Sequence, residues 1–183
     1  MANKLIALIL IIFLFPIFIF IAIAILIEDG TPFLFLQKRI GLNYKYFYIC
    51  KFRSMKNHTP NVATHLLNDP DRYILKIGKF IRKTSLDELP NLINIVKGDM
   101  VFVGPRPALH NQDDLMSYRL SLGVEKIKPG ITGWAQINGR DNITLEKKAL
   151  LDHEYLCNKS IFFDLVIIFK TFSKIIFGKE ISH

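Results

Sequence analysis

Cysteine is scarce in this chain: Cys50 and Cys157 are the only two, and they form no C-x-x-C pair. That excludes a disulfide framework and a cysteine-based zinc site, and it fits a reducing compartment. The five histidines, His58, His65, His110, His153 and His183, show neither H-x-x-x-H nor H-E-x-x-H spacing, so none is assigned to a metal. Acidic residues are outnumbered, 16 Asp and Glu against 24 Lys and Arg, which leaves a formal charge of +8. Such an excess directs attention to anionic partners: phospholipid head groups, a phosphorylated substrate or nucleic acid. There is no internal repeat and no low-complexity tail. With 183 residues there is little room for a second core, so one membrane-attached domain is expected.

What the sequence has in abundance is apolar side chains, half of the total. From Leu5 to Ile27 no side chain is charged or polar. As a straight helix that run measures roughly 34 Å, enough to cross a hydrocarbon core. It exceeds the apolar stretch of a signal peptide, and Glu28-Asp29-Gly30 offers no small-residue cleavage site. Pro16, near its middle, removes a backbone hydrogen bond and predicts a kink. Flanking charges do not orient the run, since Lys4 precedes it while Glu28 and Asp29 come before Lys38 and Arg39. On these grounds alone a spanning anchor is expected over residues 1–28, followed by a domain over residues 29–183.

The remainder reads as α+β. Phe33-Leu34-Phe35-Leu36 and Tyr46-Phe47-Tyr48-Ile49, separated by Gly41-Leu42-Asn43, predict a β-hairpin. Lys56 to Asn68 lacks periodicity and reads as a mobile loop. Asp69-Pro70 supplies an N-cap and a first-turn proline for a helix reaching about Lys83. On that helix Arg72, Lys76, Lys79 and Lys83 would form a basic stripe beside Tyr73, Ile77 and Phe80, a pattern suited to the membrane interface. A second helix is expected from Glu88 to Lys97, with Pro90 in its first turn and Gly98 as its stop. Ala108–Leu122 and Thr144–Cys157 read as helices, and Phe162–Phe177 as an interfacial or core helix.

Asp87-Glu88 is the pair with most chemical promise. Adjacent helical side chains point about 100° apart, so the two carboxylates suit different tasks rather than sharing a proton. One can attack phosphorus as a nucleophile while the other holds Mg²⁺ against a diphosphate. Helix capping alone would also account for acidic residues there, so the surroundings matter. Those surroundings are Arg82, Arg106 between two prolines, and Arg140, with Lys51 and Arg53 on the hairpin. Guanidinium forks bind phosphate oxygens bidentately, and the flanking prolines restrict the backbone that carries Arg106. Trp134 is given no role, and Asp152 and Tyr155 are within possible reach of the site.

Taken in order, Lys51-Phe52-Arg53-Ser54-Met55, Arg82-Lys83-Thr84-Ser85-Leu86-Asp87-Glu88-Leu89-Pro90, Gly98-Asp99-Met100, Gly104-Pro105-Arg106-Pro107 and Lys128-Pro129-Gly130-Ile131-Thr132-Gly133 resemble the bacterial sugar transferase family, the small monotopic phosphoglycosyl transferases. The resemblance covers nearly the whole chain. It implies that Asp87 attacks the sugar-bearing phosphate of a UDP-sugar, releasing UMP, and that a polyprenol (undecaprenyl) phosphate then takes the phospho-sugar. It further implies that Glu88 binds Mg²⁺, that Arg106 grips phosphate, and that Arg82 and Arg140 are basic positions near the site. The expected setting is the cytoplasmic face of a bacterial inner membrane, among phospholipids and without nucleic acid, at the first step of capsule, exopolysaccharide, lipopolysaccharide or glycoprotein assembly. The family's N-terminal helix is re-entrant and bends at a Ser-Pro pair; the corresponding pair here is Phe15-Pro16. The competing reading is a membrane-tethered basic binding protein without catalysis.

Overall fold

The structure is a computed structural model and describes residues 1–59, 69–139 and 143–177. Arg140 and most of the expected Lys56–Asn68 loop lie outside the described residues. The first element, α1 (Ala2–Asp29), is a single helix that continues through Pro16. It is the one described helix long and apolar enough to cross a membrane. One stripe of it is covered: Ala7, Ile21 and Ile25 are buried, and Leu10, Leu14 and Phe18 pack beside them. The opposite side leaves Leu5, Ile9, Phe13 and Phe20 exposed. Both ends of α1 are fastened to the rest of the protein. Lys4 Nζ donates to Lys97 O at 3.3 Å, and the Glu28 carboxylate accepts from Lys76 N and Ile77 N at 2.6 and 3.1 Å.

The expected hairpin is present as β1 (Leu34–Ile40) and β2 (Tyr46–Phe52), antiparallel, with Ile40 opposite Tyr46 and Leu34 opposite Phe52. Directly opposed residues share a face. Phe35, Gln37 and Arg39 therefore lie on the same side as Lys51, Ile49 and Phe47. On that side Phe47 and Ile49 pack against Ala7 of α1 and against Leu92 and Ile95.

Three sequence expectations need correction. The helix expected from Pro70 to Lys83 is broken into a 3₁₀ turn, Pro70–Tyr73, and α2, Lys76–Lys83. Between them Ile74 bridges to Met55, and Leu75 N donates to Ser54 O at 3.0 Å, so extended pairing interrupts the run. The side chain of Asp69 caps nothing; the first amides of α2 are capped by Glu28 from the end of α1. The basic stripe is split accordingly, with Arg72 at 3.6 Å from Asp69 and Lys79 at 3.4 Å from Asp71.

The helix expected from Glu88 begins later. A 3₁₀ turn, Leu86–Glu88, precedes α3 (Asn91–Lys97), and Pro90 sits at the N-cap. Gly98 ends α3 as expected, at φ 97, a left-handed conformation that glycine reaches without a steric penalty. The run from Ala108 is likewise not one helix. Ala108 and Leu109 form β4, opposite Ile40 and Arg39 of β1, and α4 starts at Asp113 and runs to Ser121.

A three-stranded sheet, β2-β1-β4, thus stands beside a two-stranded parallel pair, β3 (Val101–Val103) and β5 (Gly130–Thr132). After α5 (Trp134–Ile137) come α6 (Leu145–Asn158) and α7 (Ile161–Phe177). The Thr144 side chain caps α6 by accepting from Lys147 N at 3.2 Å, the start the sequence suggested.

Candidate active site

Asp87 and Glu88 occupy the 3₁₀ turn between α2 and α3, and this turn packs on β2. The residue before it, Ser85, is held at φ 57, a conformation rare for non-glycine residues and a common companion of functional turns. The chain that leaves α2 is thereby turned so that Asp87 is buried, 8% exposed, and its Oδ1 has no hydrogen-bond partner. Burial of the charged form, seconded by the neighbouring Glu88, pushes the Asp87 carboxyl up to about 6, while Lys51, Arg82 and Arg106 pull it the other way.

Glu88 gathers cations. Its Oε1 accepts from Lys51 Nζ at 2.7 Å and faces both Arg106 terminal nitrogens at 3.4 Å. Arg82 is half-buried, which lowers its affinity for a proton, and the charge of Asp87 opposes that effect. Four of the expected site residues are therefore brought together around Asp87: Glu88, Lys51, Arg82 and Arg106.

Arg53 goes elsewhere. Its guanidinium pairs with the Asp29 carboxylate and donates to Gly30 O at 2.6 Å, tying the end of α1 to the hairpin. Asp152 makes a buried ion pair with Arg119, at 2.6 Å from Nη2 and 3.0 Å from Nε. The Tyr155 hydroxyl donates to Val103 O at 3.0 Å beneath β3, and burial raises its pKa. Trp134 packs on Phe163, with ring centroids 4.9 Å apart.

The loop that carries Arg106 is held by backbone interlock. Gly104 N donates to Thr132 O and Gly130 N to Pro105 O, both at 2.9 Å. A Cβ at Gly133 would lie 2.2 Å from Gly104 O, so only glycine allows this approach. The two glycine-rich segments are thus one structural unit, which holds the backbone on the N-terminal side of Arg106.

One residue near the site escaped the sequence reading: Arg39, whose Nη1 donates to Pro107 O at 3.0 Å and whose Nη2 donates to Gln37. Its signal would have been the alternation along β1, which puts it on the face of Lys51.

Among the described residues no group of three or more His, Cys, Asp and Glu could enclose a metal. Mg²⁺ does not need one, because it commonly takes one or two carboxylates and completes its octahedron with phosphate and water. The orphaned Asp87 Oδ1 beside Glu88 fits that donor set.

A buried carboxylate within a ring of cations thus stands near a long helix whose outer side is apolar and exposed. The chain belongs to the bacterial sugar transferase family, whose profile matches residues 1–178. It is 44% identical over 157 residues to the uncharacterized sugar transferase EpsL of Bacillus subtilis (strain 168), covering 86% of this chain and 76% of that protein. It is 41% identical to the UDP-glucose:undecaprenyl-phosphate glucose-1-phosphate transferase of Escherichia coli (strain K12), covering 78% of this chain and 32% of the relative. To the UDP-N-acetylgalactosamine-undecaprenyl-phosphate N-acetylgalactosaminephosphotransferase of Aeromonas hydrophila it is 34% identical, over 83% of this chain and 37% of the relative. The chain thus spans about a third of the length of these two relatives.

Proposed function

We propose that the protein moves a sugar-1-phosphate from a UDP-sugar to undecaprenyl phosphate in two displacements through Asp87. In the first, a carboxylate oxygen of Asp87 bonds to the sugar-bearing phosphorus and the bond from that phosphorus to the UMP oxygen breaks, so UMP leaves. In the second, an oxygen of the polyprenol phosphate bonds to the same phosphorus and Asp87 is released as carboxylate. The observation that carries this reading is the Asp87 side chain, buried with an unpartnered Oδ1 and ringed by Lys51, Arg82 and Arg106. Raised basicity makes it a better nucleophile once deprotonated. Lys51 and Arg106, held on Glu88, are placed to take up phosphate oxygens and stabilise the charge that builds on them. Glu88 with Asp87 would hold Mg²⁺, which when bound neutralises diphosphate charge and eases departure of UMP.

The anchor fits the same reading. Both ends of α1 are bonded to one domain, which supports an arrangement in which the helix enters and stays on one side of the bilayer rather than spanning it. Exposed Phe80 on α2 and Phe162, Leu165, Phe169 and Phe172 on α7 add apolar surface suited to the interface, where a polyprenol phosphate presents its head group.

The test is incubation of nanodisc-held protein with Mg²⁺ and a panel of UDP-sugars, reading UMP release and intact mass beside Asp87→Asn. UMP release with a phospho-sugar mass adduct, both lost in the variant, is expected. UMP release without an adduct would favour direct transfer. No turnover with any sugar, even with undecaprenyl phosphate present, would sink the transferase reading and favour a non-catalytic binder.

A further inference from the structure

Arg39 is a charged group within electrostatic reach of Arg106 and Glu88 that the chemistry above does not use. It projects from β1 on the face of Lys51, and its strand neighbour across the sheet is Leu109 of β4, the continuation of the Gly104–Pro107 loop. Its guanidinium is seated twice, on the Gln37 side-chain oxygen and on Pro107 O, the carbonyl that follows Arg106. Its Nε is buried and bonds to nothing. Among the described residues no carboxylate forms an ion pair with it. Burial and the nearby Arg106 charge push its pKa down to about 10, and Glu88 partly offsets them. A half-buried guanidinium that feels the Arg106 charge more than that of Glu88 is an arrangement that a second anion would relieve.

We infer that Arg39, seated by Gln37, is a positioning residue for diphosphate binding: it clamps the Pro105–Pro107 loop at Pro107 O and so fixes Arg106 opposite Glu88. This rests on the transferase reading for its substrate and deepens it. The clamp sits one residue beyond Arg106, so releasing it lets the guanidinium of Arg106 move without dismantling the glycine interlock that holds the other side of the loop. A lysine in its place keeps charge but cannot reach two acceptors with one planar fork.

The experiment is a double-mutant cycle on the full chain in nanodiscs, with Arg39→Met, Arg106→Ala and the double variant, and with Arg39→Lys alongside. The readouts are UDP affinity by calorimetry with Mg²⁺, KM and kcat for UMP release from UDP-glucose or UDP-N-acetylgalactosamine, and Tm. Arg39→Met is expected to weaken UDP about tenfold when Arg106 is present and less than about twofold when it is absent, the non-additivity of neighbours in one network. KM should rise with it, and Arg39→Lys should recover part of the loss. Equal effects in both backgrounds, or none, would overturn the proposal, because a purely structural role lowers Tm without coupling to Arg106. Should Arg39→Met fail to fold, the same cycle is run with Arg39→Lys. If the wild type binds UDP but turns over no UDP-sugar, the transferase reading falls while the binding cycle still decides this one; if it does not bind UDP, both fall.

Discussion

Asp87 answers to two opposed demands. As the proposed nucleophile it must be ionised, yet it is buried where ionisation is costly, and its carboxyl titrates at about 6 instead of the ordinary 3.8. Its proton is therefore held more tightly in the folded chain than in the unfolded one. Below the unfolded value both states are protonated and the group costs nothing. Above about pH 6 both are ionised, and the folded state bears the burial penalty, up to about 3 kcal/mol for a shift of this size. Asp87→Asn is thus expected to unfold at a higher temperature than wild type at pH 7.5, with the gain shrinking as pH falls toward 4; thermal unfolding across that range checks it. An unchanged or lower Tm at pH 7.5 would contradict the assigned burial. In parallel, UMP release by wild type should fall as acid protonates Asp87, since only the carboxylate attacks.

At the scale of elements, the interlock of the two glycine-rich segments and the fastening of α1 each make a separate claim. Gly133 has extended backbone, φ −170, so alanine is tolerated by the chain itself and is excluded chiefly by the Gly104 carbonyl, with the Gln136 side-chain oxygen also close. Gly133→Ala should then lower stability by about 1–3 kcal/mol, as overpacking does, and slow UMP release through displacement of Arg106. A Tm and a turnover rate equal to wild type would mean that the loop adapts at no cost. For α1, cysteines placed at Ala2 and Thr31 in a Cys157→Ser background should both react with an impermeant thiol reagent from the same side of membrane vesicles. Labelling from opposite sides would establish a spanning helix. Cys157 has to be replaced because it is exposed, whereas Cys50 is buried.

For the molecule as a whole, what could be read in the sequence was what local signals decide. The hairpin, the helix starting at Thr144 and the Gly98 stop of α3 rest on signals within a few residues, and all are present. What escaped depends on partners distant in the chain. Residues 70–83 look like one helix until Ser54 and Met55 pair into the middle of the run. Lys51 and Arg53 are both expected near the site from the hairpin, but β2 ends at Phe52, and Arg53 turns to Asp29. Alternation along β1 could have put Arg39 on the face of Lys51, but its tie to the Arg106 loop depends on Pro107, distant in the chain. In α1 the covered stripe from Ala7 to Ile25 is invisible to periodicity because the opposite side is equally apolar.

The carboxylate of Glu28 has a wider implication. It belongs to the last turn of the hydrophobic anchor, yet it completes the first turn of α2, the helix whose far end delivers the chain to Ser85 and Asp87. The long apolar helix and the turn of the proposed nucleophile are thus joined through α2. Exchanging or removing α1 is then expected to lower Tm and to disturb the turn that carries Asp87, because α2 would lose the carboxylate that closes its first turn.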